Sequence, residues 1–239
     1  ARHDWFRGMA WMIARYDPAD PDALVLAARG GHNAENHNQN DIGSVIVDLC
    51  GEPLVAELGR PCFTSATFGA GRYEILANSS LGHSVPIANG CAQPAGERYR
   101  AEVVEHAVEA GQDRLVLELR DAYPPEADLA SLRRTVVLHR DAPRGWVEIE
   151  DRARFAGGPG RLEAQLVTFS DVEVSPGAVL IRGIRGRLRV EYPEGAEVEV
   201  LEDRGVALSA GPADVRRIRF SLPASREAAI RLRLVPHSA

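Results

Sequence analysis

Between Gly30 and Gln93 the chain gathers residue types that do chemistry rather than build a core. Three of the seven histidines (His32, His37 and His83) and all six asparagines fall in this stretch. Its first part reads G-G-H-N-A-E-N-H-N-Q-N-D-I-G-S-V-I-V, and at this polar density the segment lines a surface or a cleft. His37, Glu57 and His83 stand on separate segments, and scattered imidazole and carboxylate donors suit zinc or another divalent ion. No short fixed spacing ties them together. Two readings therefore stand side by side: a cation site, or a polar layer whose members satisfy one another and the nearby backbone. Asn33, Asn36, Asn38 and Asn40 likewise either face a ligand or satisfy an irregular loop, since Asn tolerates unusual backbone angles. A cupin-type H-x-H pair is disfavoured, because its second position is Gln39 and no glutamate follows at the right distance. A neutral amide is a poor ligand for a borderline metal.

The rest of the chain must hold this stretch in place, and its pattern is that of strands. Short apolar runs at 23–29, 44–50, 99–109, 114–120, 135–140, 146–151, 161–169, 178–182, 187–192, 197–201, 215–220 and 229–235 alternate apolar with charged residues, as expected of a sheet with one wet face. Gly, Pro and Asp punctuate them, and Asn89-Gly90 reads as a tight hairpin turn. The fold class is all-β: a large antiparallel β-sandwich, supersandwich-like, preceded by a short N-terminal helix. That helix is predicted over 3–16, where Trp5, Met9, Met12 and Tyr16 recur at helical spacing, and Asp17-Pro18 and Asp20-Pro21 end it. A second helical turn is expected at 126–132. Residues 1–22 thus form a joint, and residues 23–239 form the sandwich.

Bulk properties narrow the function classes. A hydrophobic fraction of 45% supports a real core, and a net charge of -6 argues against a nucleic-acid partner. No apolar run reaches the length of a membrane span. All 28 basic residues are arginine, so any anion site here uses planar guanidinium forks. Three cysteines, Cys50, Cys62 and Cys91, do not read as a disulfide framework. The chain begins at Ala1 rather than Met, which reads as a cut.

Taken as an ordered set, the run at 30–47, then G-E-P-L-V-A-E-L-G, T-F-G-A-G-R-Y-E-I-L and G-H-S-V-P-I-A-N-G-C-A-Q-P-A-G, resembles the heparinase II/III-like polysaccharide lyases. The resemblance covers roughly residues 28–98. It implies an N-terminal (α/α) toroid preceding a C-terminal β-sandwich, of which this chain is the second part, and it implies a periplasmic or secreted protein. It implies cleavage of a uronic-acid-containing acidic polysaccharide, heparin/heparan- or alginate-like, by β-elimination. The matched positions make His37, Tyr73 and Arg72 the catalytic candidates and His32, Asn36, Asn38 and Asp41 the substrate-binding ones. They set Gln39, Glu57 and His83 around a possible zinc or other divalent ion, with Gln39 where the family has a histidine. Phe63 stands where a family tyrosine is common. Because the toroid supplies part of the machinery in the family, the isolated chain is expected to be inactive or weakly active. The alternative is a non-catalytic carbohydrate-binding or scaffold module.

Overall fold

A computed structural model of the protein describes residues 1–237. An eight-stranded antiparallel sheet runs in the order Asp171–Ser175, Ala178–Arg182, Arg187–Glu191, Glu227–Pro236, Trp146–Phe155, Leu129–His139, Gln112–Glu118, Glu102–Val108. Two smaller sheets face it. One has the order His3–Phe6, Trp11–Arg15, Val25–Arg29, Val45–Leu49, Glu52–Val55. The other has the order Glu197–Leu208, Gly211–Ser221, Leu162–Thr168, Pro86–Ala88. The two small sheets meet edge to edge where Ala56 N donates to Val167 O at 2.8 Å. Together they form the second layer of a β-sandwich. A further short pair, His32–Asn33 with Gly96–Arg100, flanks the polar stretch.

Period-two burial builds the core. Met12 and Ala14, Leu26 and Ala28, and Val45, Val47 and Leu49 point inward from three adjacent strands. They share one apolar cluster with Leu115, Leu117, Leu132, Val136, Val147 and Ile149 of the large sheet. Each of the larger side chains among these, Met, Val, Leu or Ile, stabilises the fold by roughly 1.5–3 kcal/mol relative to exposure. The strand Leu162–Thr168 departs from alternation and is buried along its whole length. Its outer face is covered by the polar stretch: Gln165 donates to Leu81 O at 3.0 Å and to His83 O at 2.8 Å.

The predicted N-terminal helix is not formed. Residues 3–16 make an antiparallel hairpin, His3–Phe6 with Trp11–Arg15, joined by one 3-10 turn at Arg7–Met9 and by Ala10 in the left-handed region at φ 50°. The helical spacing of Trp5, Met9 and Met12 was coincidental: Met9 is 40% exposed, whereas Met12 is fully buried. Long-range pairing of Trp11–Arg15 with Val25–Arg29 supplies the backbone partners a helix would have found locally. Trp5 stacks on His106, centroids 4.1 Å apart, and so ties the hairpin to the edge of the large sheet. At 126–132 only a 3-10 turn, Pro125–Ala127, forms before the strand Leu129–His139 begins, because Asp128 turns left-handed at φ 53°. Asn89 and Gly90 both take positive φ, and Cys91 N donates to Ala88 O at 2.9 Å, as the hairpin signal requires. Among the described residues no helix is long and apolar enough to cross a membrane.

One ion pair sits in the middle of the sandwich. Arg134 and Asp151 are directly opposed on neighbouring strands, both are fully buried, and they bond through two N–H···O contacts of 2.7 Å each. The remaining terminal nitrogen, Nη1, donates to Gly43 O at 2.7 Å and to Ser84 O at 2.6 Å. Removing one partner leaves a buried charge uncompensated, at a cost of about 3–5 kcal/mol. Arg134→Met is therefore expected to lower the unfolding free energy by that amount in urea titrations. A loss below about 1 kcal/mol, the range of a surface pair, would show that the buried pair is not holding the layers together.

Candidate functional site

The polar stretch folds into a loop, 30–44, and a run of 3-10 turns, 65–82, laid across the smaller sheets. Gln93 anchors the loop. Its side chain accepts from Ile42 N at 3.0 Å and donates to Ile42 O at 2.8 Å, while its backbone carbonyl accepts from Asn40 Nδ2 at 2.8 Å. Gly43 follows at φ 86°, where a Cβ would lie 2.8 Å from Leu119, so the sharp turn into Ser44 requires glycine. Asn33, Asn40 and Asn78 are buried, and their hydrogen bonds serve the loop itself: Asn33 Nδ2 donates to Pro94 O at 2.9 Å, and Asn78 Nδ2 to Arg72 O at 3.0 Å.

At the base of this loop Asp41, Glu57 and His83 converge, each offering an atom within 4.8 Å of the others. His83 is fully buried and uses both ring nitrogens. Nε2 meets Ala77 O at 3.2 Å; a carbonyl can only accept, so Nε2 carries the hydrogen. Nδ1 meets Glu57, whose other oxygen accepts from Ser44 Oγ. Asp41 lies against Arg29, with a shortest N···O distance of 2.9 Å, yet its Oδ1 accepts no aligned hydrogen bond. Burial pushes Asp41 up to about 6, against the pull of Arg29. Burial also opposes charge on His83, but the carboxylates of Glu57 and Asp41 outweigh it and raise its pKa.

These residues fit a divalent cation. With its hydrogen fixed on Nε2, a neutral His83 aims the Nδ1 lone pair at a carboxylate, and two acceptors in contact need a proton or a metal between them. A proton serves His83 and Glu57 alone and leaves Asp41 Oδ1 with only its misaligned ion-pair contact to Arg29. A cavity of about 80 Å³, lined by Trp11, Ala27, Arg29, Asp41, Ser44 and Glu57, opens onto the cluster and has room for an ion and water.

The other candidates lie on the loop above. His37 is exposed and left-handed at φ 58°; Asn36 is exposed, and His32 is half-buried with Nδ1 accepting from Ala34 N at 3.2 Å. Tyr73 OH donates to Asn38 Oδ1 at 3.1 Å. Arg72 donates to Asn38 O at 2.7 Å and Thr67 O at 3.2 Å and stacks over Tyr73. Gln39, expected at the cation, directs its amide to Gly59 O at 2.7 Å. Thus Glu57 and His83 are brought together as expected, and Asp41, assigned above to substrate, joins them. Arg29, Ser44, Gln93 and Arg134 escaped the sequence reading. Gln93, at the end of the same polar stretch, was the one with a visible signal.

The architecture is that of the heparinase III-like β-sandwich. A heparan sulfate lyase HepC from Pedobacter heparinus matches 100% of this chain with a TM-score of 0.78 at 14% identity, and a mutant of that lyase matches equally at 0.79. A heparinase III gene product solved with methylated lysines matches 99% of the chain with a TM-score of 0.78 at 13% identity. The chain spans 36–37% of the length of these solved chains. No model of a known sequence family and no curated protein matches it.

The folded pKa of Asp41, about 6, stands above its ordinary 3.8, so protonation favours the fold. Its contribution is fully present below pH 4 and is lost as the pH rises through 6, by roughly 3 kcal/mol. In chelator-treated protein, the stability of Asp41→Asn relative to wild type is expected to rise by up to that amount between pH 4 and 7. Urea titrations across this range check it; a flat difference would place the raised pKa elsewhere.

Proposed function

We propose that the chain is the β-sandwich part of a longer polysaccharide lyase that cleaves a uronic-acid-containing acidic polysaccharide, heparan- or alginate-like, by β-elimination. The observation that carries this reading is the whole-chain fold likeness to heparan sulfate lyases more than twice as long. The partner within the longer chain is a preceding (α/α) toroid, and residues 1–22 lead from it into the sandwich as the first hairpin. Glu57 and His83 hold a divalent ion, zinc or a similar metal, which when bound fixes the base of the loop by neutralising its carboxylates.

In such a reaction a base removes the C5 proton, the C4–O bond breaks as an acid protonates the departing oxygen, and a C4=C5 double bond forms. Neutralising the uronate carboxylate acidifies the C5 proton. His37, exposed at the loop tip, is the candidate base, and the Tyr73 hydroxyl, held at Asn38, is the candidate acid. His32, Asn36 and Asn38 line the approach. Arg72 spends two donors on backbone carbonyls, so it positions Asn38 and adds positive charge rather than forming a fork on substrate. That same commitment favours a second reading, a carbohydrate-binding or scaffold module without turnover.

The longer chain, given heparan sulfate or alginate, is expected to generate an unsaturated uronate that absorbs in the ultraviolet, while the isolated chain gives little or none. In the longer chain, His37→Ala and Tyr73→Phe are each expected to lower kcat by about 100-fold or more, the usual weight of a general base or acid, with circular dichroism unchanged. Polysaccharide binding without product from the longer chain would select the scaffold reading. Full activity of Tyr73→Phe would move the acid to the toroid.

A further inference from the structure

We infer that the third protein ligand of the cation is Asp41, not Gln39, and that Arg29 competes with the ion for Asp41. The inference rests on the cation reading of the Glu57–His83 pair and adds to it a ligand exchange particular to this chain. Gln39 has its amide nitrogen committed to Gly59 O at 2.7 Å. Asp41 is 7% exposed, its Oδ1 makes only a misaligned contact with Arg29, and one of its carboxylate oxygens lies within 4.8 Å of ligand atoms of Glu57 and His83. One imidazole and two carboxylates make an oxygen-rich set suited to a first-row divalent ion.

Arg29 is the resident cation. Its guanidinium reaches Asp41 at 2.9 Å and Glu35 at 3.2 Å and lies 5.6 Å from the centre of the Trp11 ring. An ion on Asp41 removes the charge that holds Arg29 there and leaves the guanidinium to Glu35, on the loop that carries His37 and Asn38. Trp11 lines the same cavity, so its emission reports the exchange.

The test is titration of chelator-treated protein with ZnCl2 and MnCl2, followed by calorimetry and tryptophan fluorescence. Wild type is expected to bind one ion and to change its emission, with Trp11→Phe binding equally but silent. Asp41→Asn is expected to lose more than the roughly 10–100-fold that a merely supporting residue costs, Asp41→His to recover zinc binding, and Gln39→Ala to bind as wild type. Arg29→Gln is expected to bind more tightly. Wild-type affinity in Asp41→Asn together with loss in Gln39→Ala would overturn the exchange while leaving the cation reading intact. Weaker binding by Arg29→Gln would overturn the competition. No ion bound by folded wild type would remove the cation reading itself.

Discussion

The buried Arg134–Asp151 pair is the constraint on which the other features depend. A bidentate guanidinium–carboxylate contact is directional, and Arg134 has donors left over after it is made. Those donors fasten the carbonyls of Gly43 and Ser84, the residues beside Ser44 and His83. One charge in the large sheet thereby fixes the two segments that bring Asp41, Glu57 and His83 together. A hydrophobic replacement of the pair would fill the volume but leave both carbonyls without donors in a dry interior, so the ionic solution serves the site as much as the core.

Around that anchor the polar residues divide by depth. The lower tier of Asn33, Asn40, Asn78, Ser84 and Gln93 is buried and engaged with backbone, giving the irregular loop the partners that sheet pairing gives elsewhere. The middle tier of Asp41, Glu57 and His83 gathers two carboxylates and one imidazole beside Arg29 and Ser44. In the upper tier Asn36 and His37 are open to water and His32 is half-buried. Rigidity below and exposure above is the arrangement a site needs when its partner arrives from outside.

Most of this fold was legible in the sequence because period-two alternation is a local signal. The strands Val45–Leu49, Trp146–Phe155 and Leu162–Thr168 stand where their apolar runs predicted. The N-terminal hairpin was not legible: a few apolar residues satisfy helical and extended periods alike, and only pairing with Val25–Arg29 decides between them. The closeness of Glu57 and His83 was readable from ordered motifs. The place of Asp41 was not, because it depends on Gly43 and Gln93 turning the loop back, and that is tertiary information. Arg134 was illegible for a related reason. An arginine in an alternating strand reads as solvent-facing, and its burial follows from Asp151 opposite it on a strand that begins some ten residues later.

The edge-to-edge meeting of the two small sheets also gives the site a mechanical character. The hydrogen bond from Ala56 to Val167 closes that seam, and Glu57 is the next residue along the chain. His83 comes from the far side, where its carbonyl is held by Gln165 of the strand Leu162–Thr168. Glu57 and His83 both lie in short irregular segments, two residues beyond Val55 and three before Pro86, and the contact between imidazole and carboxylate spans the seam. The cluster is thus a clasp across the seam: a side-chain contact placed beside the backbone hydrogen bond that joins Ala56 to Val167, so the two halves of the layer are tied there twice.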